Sequence, residues 1–122
     1  MAWGVVTNKF ARFAVPIMER LGLGARAGVI VGGDTCARAK PYPDSLLHAA
    51  DKLGVRPAHT LYVGDDERDV QAARAAGMPA LVAGYGYLGD GPAPSLWGAD
   101  DIVDAPGGVK AWIHSRQSKA VA

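Results

Sequence analysis

Short apolar runs rich in β-branched residues alternate along this chain with longer stretches of helical period. That alternation restricts its fold more than any other feature. Ala2 to Val6 is the first run and reads as a buried strand. Lys9 to Leu21 follows, with Phe10, Phe13, Ala14, Ile17 and Leu21 at helical spacing, and Gly22 and Gly24 end it. Pro16 falls inside that helix, where a proline costs about 3 kcal/mol and predicts a bend. Gly28 to Val31 is the second run, and a polar loop from Gly32 to Tyr42 leaves it. Pro43 suits the first position of a helix whose apolar face is Leu46, Leu47, Ala50 and Leu53, stopped by Gly54. Thr60 to Val63 is the third strand, and an alanine-rich helix from Glu67 to Ala76 follows, closed by Gly77. Met78 to Ala83 is a fourth strand and Gly84 to Pro94 a loop. Ile102 and Val103 give a short fifth strand, and Val109 to His114 a last helix. Strands separated by helices predict an α/β fold, a Rossmann-like and mainly parallel sheet with helices on both faces.

Size and charge narrow the setting. The 122 residues suffice for one domain, which the pattern places over 1–115, with 116–122 as a polar tail. Thirteen basic residues against twelve acidic ones leave no basic surplus, so nucleic acid is not an expected partner. No apolar run approaches the roughly 20 residues of a membrane span, and no membrane partner is expected. The first residues show no basic segment followed by an apolar core, so no signal peptide is read there. Cys36 is the one cysteine, which excludes an internal disulfide and any multi-cysteine metal site. The expectation is a soluble, cytoplasmic domain.

In parallel sheets ligands bind beyond the carboxyl ends of the strands. Three such ends stand out: Thr7-Asn8, Gly32-Gly33-Asp34 and Gly64-Asp65-Asp66. Asp65, Asp66, Glu67 and Asp69 crowd within five positions after a buried strand. Carboxylates packed so closely repel unless a cation or hydrogen bonds compensate, and an all-oxygen set suits Mg²⁺. Helix capping accounts for Asp66 and Glu67 equally well, but not for Asp65 directly after Gly64. Thr7 and Asn8 offer a hydroxyl and backbone N–H groups at a helix start, which suits phosphate, though an ordinary cap needs no ligand. Lys40 lies in Arg38-Ala39-Lys40-Pro41-Tyr42-Pro43, where two prolines hold the backbone extended. It is either a solvated loop lysine or a charge aimed at the site.

Taken in order, Thr7, Lys40 and Asp65 resemble the motifs of the haloacid dehalogenase-like hydrolases, with wording closest to bacterial phosphoglycolate phosphatases. The matching stretches are Trp-Gly-Val-Val-Thr-Asn-Lys (3–9), Gly-Gly-Asp-Thr (32–35), Lys-Pro-Tyr-Pro (40–43) and Tyr-Val-Gly-Asp-Asp-Glu-Arg-Asp-Val (62–70). Ala-Ala-Gly-Met (75–78) and Tyr-Gly-Tyr (85–87) add to them. The resemblance implies a Mg²⁺-dependent phosphomonoester hydrolase working through an aspartyl-phosphate on a small phosphorylated metabolite such as 2-phosphoglycolate. It implies that Thr7 and the amide of Asn8 bind phosphate and that Lys40 offsets negative charge. Asp65 would supply a metal ligand, supported by Asp69 and Asp66.

The resemblance also marks a departure. The family's nucleophile lies in an Asp-x-Asp motif on a central strand, and no aspartate precedes Thr7 here. The helical cap expected between the first two motifs is missing as well. The chain therefore reads as the C-terminal part of the core, lacking the first strand, the cap and the nucleophile, and inactive alone. The alternative reading is a non-catalytic truncated or split module that binds phosphate or metal weakly, or pairs with an N-terminal half. The resemblance places the absent strand between Ala2–Val6 and Thr60–Val63. Those two should then either pair directly, recruit a partner or stay partly ordered. Their apolar edges favour self-association.

Other features carry less. Gly84-Tyr85-Gly86-Tyr87-Leu88-Gly89 spells a dinucleotide fingerprint, but Asp-Gly-Pro-Ala-Pro after it cannot open the required helix. His48, His59 and His114 lack partners at metal spacing. Trp3, Trp97 and Trp112 read as core or semi-core residues.

Overall fold

The computed structural model describes residues 2–22, 24, 27–84 and 93–121; from 114 onward only the helical backbone is described. The elements in order are β1 (Val5–Val6), α1 (Ala11–Arg20), β2 (Ile30–Val31), α2 (Asp44–Leu53), β3 (Tyr62–Gly64), α3 (Glu67–Ala76), β4 (Ala80–Ala83), β5 (Asp101–Val103) and α4 (Pro106–Val121). Short 3₁₀ turns at Pro57–His59 and Pro94–Leu96 lead into β3 and β5. The fold is α/β, and every strand pair is parallel.

The strands form two sheets, β1-β2 and β3-β4-β5. Val5 aligns with Ile30, and Tyr62, Val63 and Gly64 align with Ala80, Leu81 and Val82. Helix α1 packs on β2, and α3 packs on β3 and β4. Helix α2 packs on both β1 and β2 and also on α3, so it ties the two sheets together. The core lies under this pair: Leu46 and Ala50 from α2, Ala72, Ala73 and Ala76 from α3, and Met78 and Ala80 before and on β4. Every residue of β4 is buried, as expected for the middle strand of a covered parallel sheet.

Strands β1 and β3 do not pair with each other among the described residues. Val5 N–H donates to Val29 O and Thr7 N–H to Val31 O, so the backbone groups of Val6 turn away from β2, toward β3. Tyr62 N–H donates to Pro79 O, so by the same alternation Val63 turns away from β4. Side chains bridge the interval. Lys40 Nζ and the Tyr62 hydroxyl both donate to Val6 O, at 3.3 and 3.2 Å.

Local signals placed α3 correctly: Asp66 caps it and Gly77 closes it at φ 76°. Helix α1 differs from expectation in two ways. It starts at Ala11, because Asp34 Oδ1 accepts the Ala11 N–H from across the β2 loop, and it runs uninterrupted through Pro16. Its buried residues are Ala14 and Met18, while Phe10, Phe13, Ile17 and Leu21 are exposed. A two-stranded sheet is too narrow to cover the whole apolar stripe. On α2, Ala49 is buried and Leu47 exposed. The last helix continues to Val121, past His114. Apart from Gly84, the 84–89 fingerprint lies outside the described residues, as does the Tyr85-Gly86-Tyr87 stretch.

Candidate active site

The site is organised around one lysine. Its loop leaves β2 through Gly32 and Gly33, and both glycines are required by close approach. A Cβ on Gly33 would collide with the Asn8 carbonyl, and one on Gly32 with the Ala11 backbone. The loop then returns to the end of β1, where Asn8 clamps it. Asn8 Nδ2 donates to Lys40 O at 3.0 Å, and Lys40 N–H donates to Asn8 Oδ1 at 3.1 Å. This pair of bonds imitates a rung of β-ladder between residues 32 apart in sequence.

The Lys40 side chain, 9% exposed, reaches between the two sheets. Its ammonium donates to Asp69 Oδ1 at 2.6 Å and to the Tyr62 hydroxyl at 2.9 Å, besides Val6 O. Asp69 is as deeply buried, and its second oxygen is engaged too. Oδ2 accepts the backbone N–H groups of Asp65 and Asp66, at 3.0 and 3.1 Å. Gly64 makes this turn feasible, since a Cβ there would overlap the Asp69 carboxylate. One network thus joins the end of β1, the Lys40 loop, β3 and the start of α3. It brings the three predicted motifs together at the carboxyl ends of β1 and β3.

The acidic cluster divides by role. Asp66 is the N-cap of α3, accepting from Arg68 N–H and pairing with its guanidinium at 3.2 Å. Those hydrogen bonds hold its carboxyl below the ordinary aspartate range. Asp69 completes a reciprocal capping box with it. Asp65 is exposed, and its carboxylate makes no hydrogen bond or ion pair among the described residues. Among those residues no three His, Cys, Asp or Glu side chains gather around a common metal position. Asp65 is thus, among the described residues, the one carboxylate of the cluster left free at the strand end, the kind of oxygen ligand an ion that keeps most of its waters would take. Asp66 and Asp69 are engaged by protein donors.

Thr7 stands at the end of β1, where its hydroxyl oxygen accepts the Lys9 N–H at 3.2 Å, so the residue shapes the turn as a cap would. Asp34 likewise has a structural use, as the acceptor at the start of α1. Sequence reading missed Tyr62. Its signal was position: it is two residues before Gly64, on the side of β3 that faces the α2–α3 core. Burial, then the charge and hydrogen bond of Asp69 and the charge of Asp65, push its hydroxyl pKa far up, so it remains a neutral phenol.

The model of the family described as haloacid dehalogenase-like hydrolase matches residues 1–77. A phosphoglycolate phosphatase of Xylella fastidiosa is 51% identical over 104 residues, covering 85% of this chain and 45% of that protein. An N-acetylmuramic acid 6-phosphate phosphatase of Pseudomonas aeruginosa is 48% identical over 106 residues, covering 87% and 47%. The crystal structure of a predicted phosphoglycolate phosphatase from Haemophilus somnus superposes with a TM-score of 0.84 at 28% identity, over 92% of this chain and 49% of that one. CbbY from Rhodobacter sphaeroides, solved in complex with phosphate, gives 0.74 at 25% identity, over 86% and 47%. The chain spans about half the length of the curated relatives it matches.

Proposed function

The chain belongs to the haloacid dehalogenase-like hydrolase family, and from that premise we propose that it is the phosphate- and metal-handling part of a Mg²⁺-dependent phosphomonoester hydrolase. The observation that carries this is the Lys40 ammonium, buried against Asp69 at 2.6 Å where β1 and β3 end. A fixed positive charge beside strand-end N–H groups suits a phosphoryl group, whose transfer is mostly positioning and charge neutralisation. In this reading the Thr7 hydroxyl and the Asn8 backbone N–H bind the phosphoryl oxygens. Lys40 offsets their charge, and Asp65 holds the ion through its free carboxylate. Bound Mg²⁺ would supply further positive charge at those oxygens. The substrate is a small phosphorylated metabolite, and the names of the relatives make 2-phosphoglycolate the first to test.

An aspartyl-phosphate route needs a nucleophilic carboxylate, and none precedes Thr7 within the 122 residues. The expected activity of these residues alone is therefore no phosphate release above background. Mg²⁺-dependent release that is abolished in Lys40→Ala would refute that expectation. The binding role is tested by titrating Mg²⁺ and inorganic phosphate by calorimetry. Asp65→Asn should lose Mg²⁺ affinity and Thr7→Ala phosphate affinity, and equal affinities in wild type and variants would overturn the assignment.

The open edges of β1 and β3 favour a second reading, a module that pairs through those edges with its own copy or with an N-terminal half. Adding the N-terminal half of the Xylella relative to the purified chain separates the two. Restored phosphate release supports an enzyme part, and assembly without release a binding module.

A further inference from the structure

Three acceptors surround the Lys40 ammonium, and each comes from a different part of the fold. Val6 O belongs to β1, the Tyr62 hydroxyl to β3 and Asp69 Oδ1 to α3. A lysine ammonium has three N–H donors, so every one of them is engaged. Asp69 contributes the opposing charge and Val6 a main-chain carbonyl. Tyr62 contributes a neutral oxygen that accepts from Lys40. Its own proton is left for Val6 O at 3.2 Å or Asp69 Oδ1 at 3.3 Å. The ammonium lies beyond the hydroxyl tip, 5.5 Å from the ring centroid, and the ring packs against the α2–α3 core.

We propose that Tyr62 is a positioning residue that fixes the direction of the Lys40 ammonium by supplying its third hydrogen-bond acceptor. Without that hydroxyl the side chain, 9% exposed, would bury one N–H with no acceptor. The ammonium would then recover a partner by turning outward to water. With the hydroxyl present, the positive charge stands at one place between the ends of β1 and β3, as stabilisation of a charge at a fixed position requires. The use of this brace in phosphoryl transfer rests on the function proposed above; the brace itself does not.

Competitive acetylation with acetic anhydride, read by mass spectrometry, tests it without turnover. In the wild type Lys40 should react far more slowly than the exposed Lys9 and Lys52 of the same molecule. In Tyr62→Phe, which keeps the ring, Lys40 should react about tenfold faster while Lys9 and Lys52 are unchanged, as loss of one charge-assisted hydrogen bond implies. Unchanged Lys40 reactivity in a folded Tyr62→Phe, judged by wild-type exchange of the Val82 amide, would overturn the proposal. Should that variant fail to fold, proton NMR of the wild type decides. A protected Tyr62 hydroxyl proton with a cross-peak to the Lys40 ammonium is expected, and its absence at low temperature overturns the proposal. Failure here would leave the phosphate-binding result standing, and loss of phosphate binding would leave the brace standing.

Discussion

Asp69→Ala tests how far the site and the fold depend on one carboxylate. The side chain accepts from Lys40 Nζ, the Tyr62 hydroxyl and the N–H groups of Asp65 and Asp66. Its removal leaves the Lys40 ammonium buried with only neutral acceptors. Breaking a buried pair from one side costs about 3–5 kcal/mol, and loss of a reciprocal cap lies within the same change. A domain of this size has roughly 5–15 kcal/mol in total, so Asp69→Ala should lose a large fraction of its stability. Lys40→Met should cost less, about 2 kcal/mol, because Asp69 keeps two backbone N–H donors and the phenol. The double variant should be more stable than the sum of the single losses predicts, since the second substitution removes a charge already left unpaired. Urea unfolding followed by tryptophan fluorescence gives all three values at constant slope. Single losses below about 1 kcal/mol, or strict additivity in the double variant, would refute the reasoning.

The lowered Asp66 carboxyl predicts a pH dependence at the acid end. Its contribution is complete above the unfolded aspartate value and is lost as pH falls through the lower folded one, so wild type should lose stability below about pH 4 more steeply than Asp66→Asn, which keeps the cap without the charge; parallel acid limbs in urea midpoints would count against it. Gly33→Ala should destabilise by roughly 1–3 kcal/mol, since the new methyl meets the Asn8 carbonyl rather than a movable side chain, and a neutral urea midpoint shift would show the loop can give way. The edges of β1 and β3 that no strand among the described residues pairs should drive association with rising concentration. Sedimentation should show it, with slowed exchange at Val6 and Val63, whereas the amides of Val5 and Tyr62 are already bonded within their own sheets. A strictly monomeric species with a cooperative unfolding transition would show that the open edges are tolerated.

Local chemistry was legible from sequence wherever neighbours along the chain decide the outcome. The bounds of α3 follow from Asp66 and Gly77, and the stop of α2 from Gly54 at φ 69°, because caps and left-handed turns are settled within a few residues. The parallel α/β class followed from the alternation of runs. The ordered motifs likewise pointed to Thr7, Lys40 and Asp65 at strand ends, and the fold brings those ends together through Lys40. What sequence could not show is set by partners distant along the chain. Periodicity marked the apolar stripe of α1, but only the width of the sheet beneath it decides that Ala14 and Met18 are buried while Phe13 and Ile17 are not. The acidic cluster read both as a helix cap, through Asp66 and Glu67, and as a metal site led by Asp65. Tertiary contacts divide it, because Lys40, 29 residues away, draws Asp69 into the interior and leaves Asp65 facing solvent. Tyr62 and the Asn8 clamp were invisible for the same reason. Their partners, Val6 O and the Lys40 backbone, lie 56 and 32 residues off, and a hydrogen bond across that separation exists only once the chain has folded.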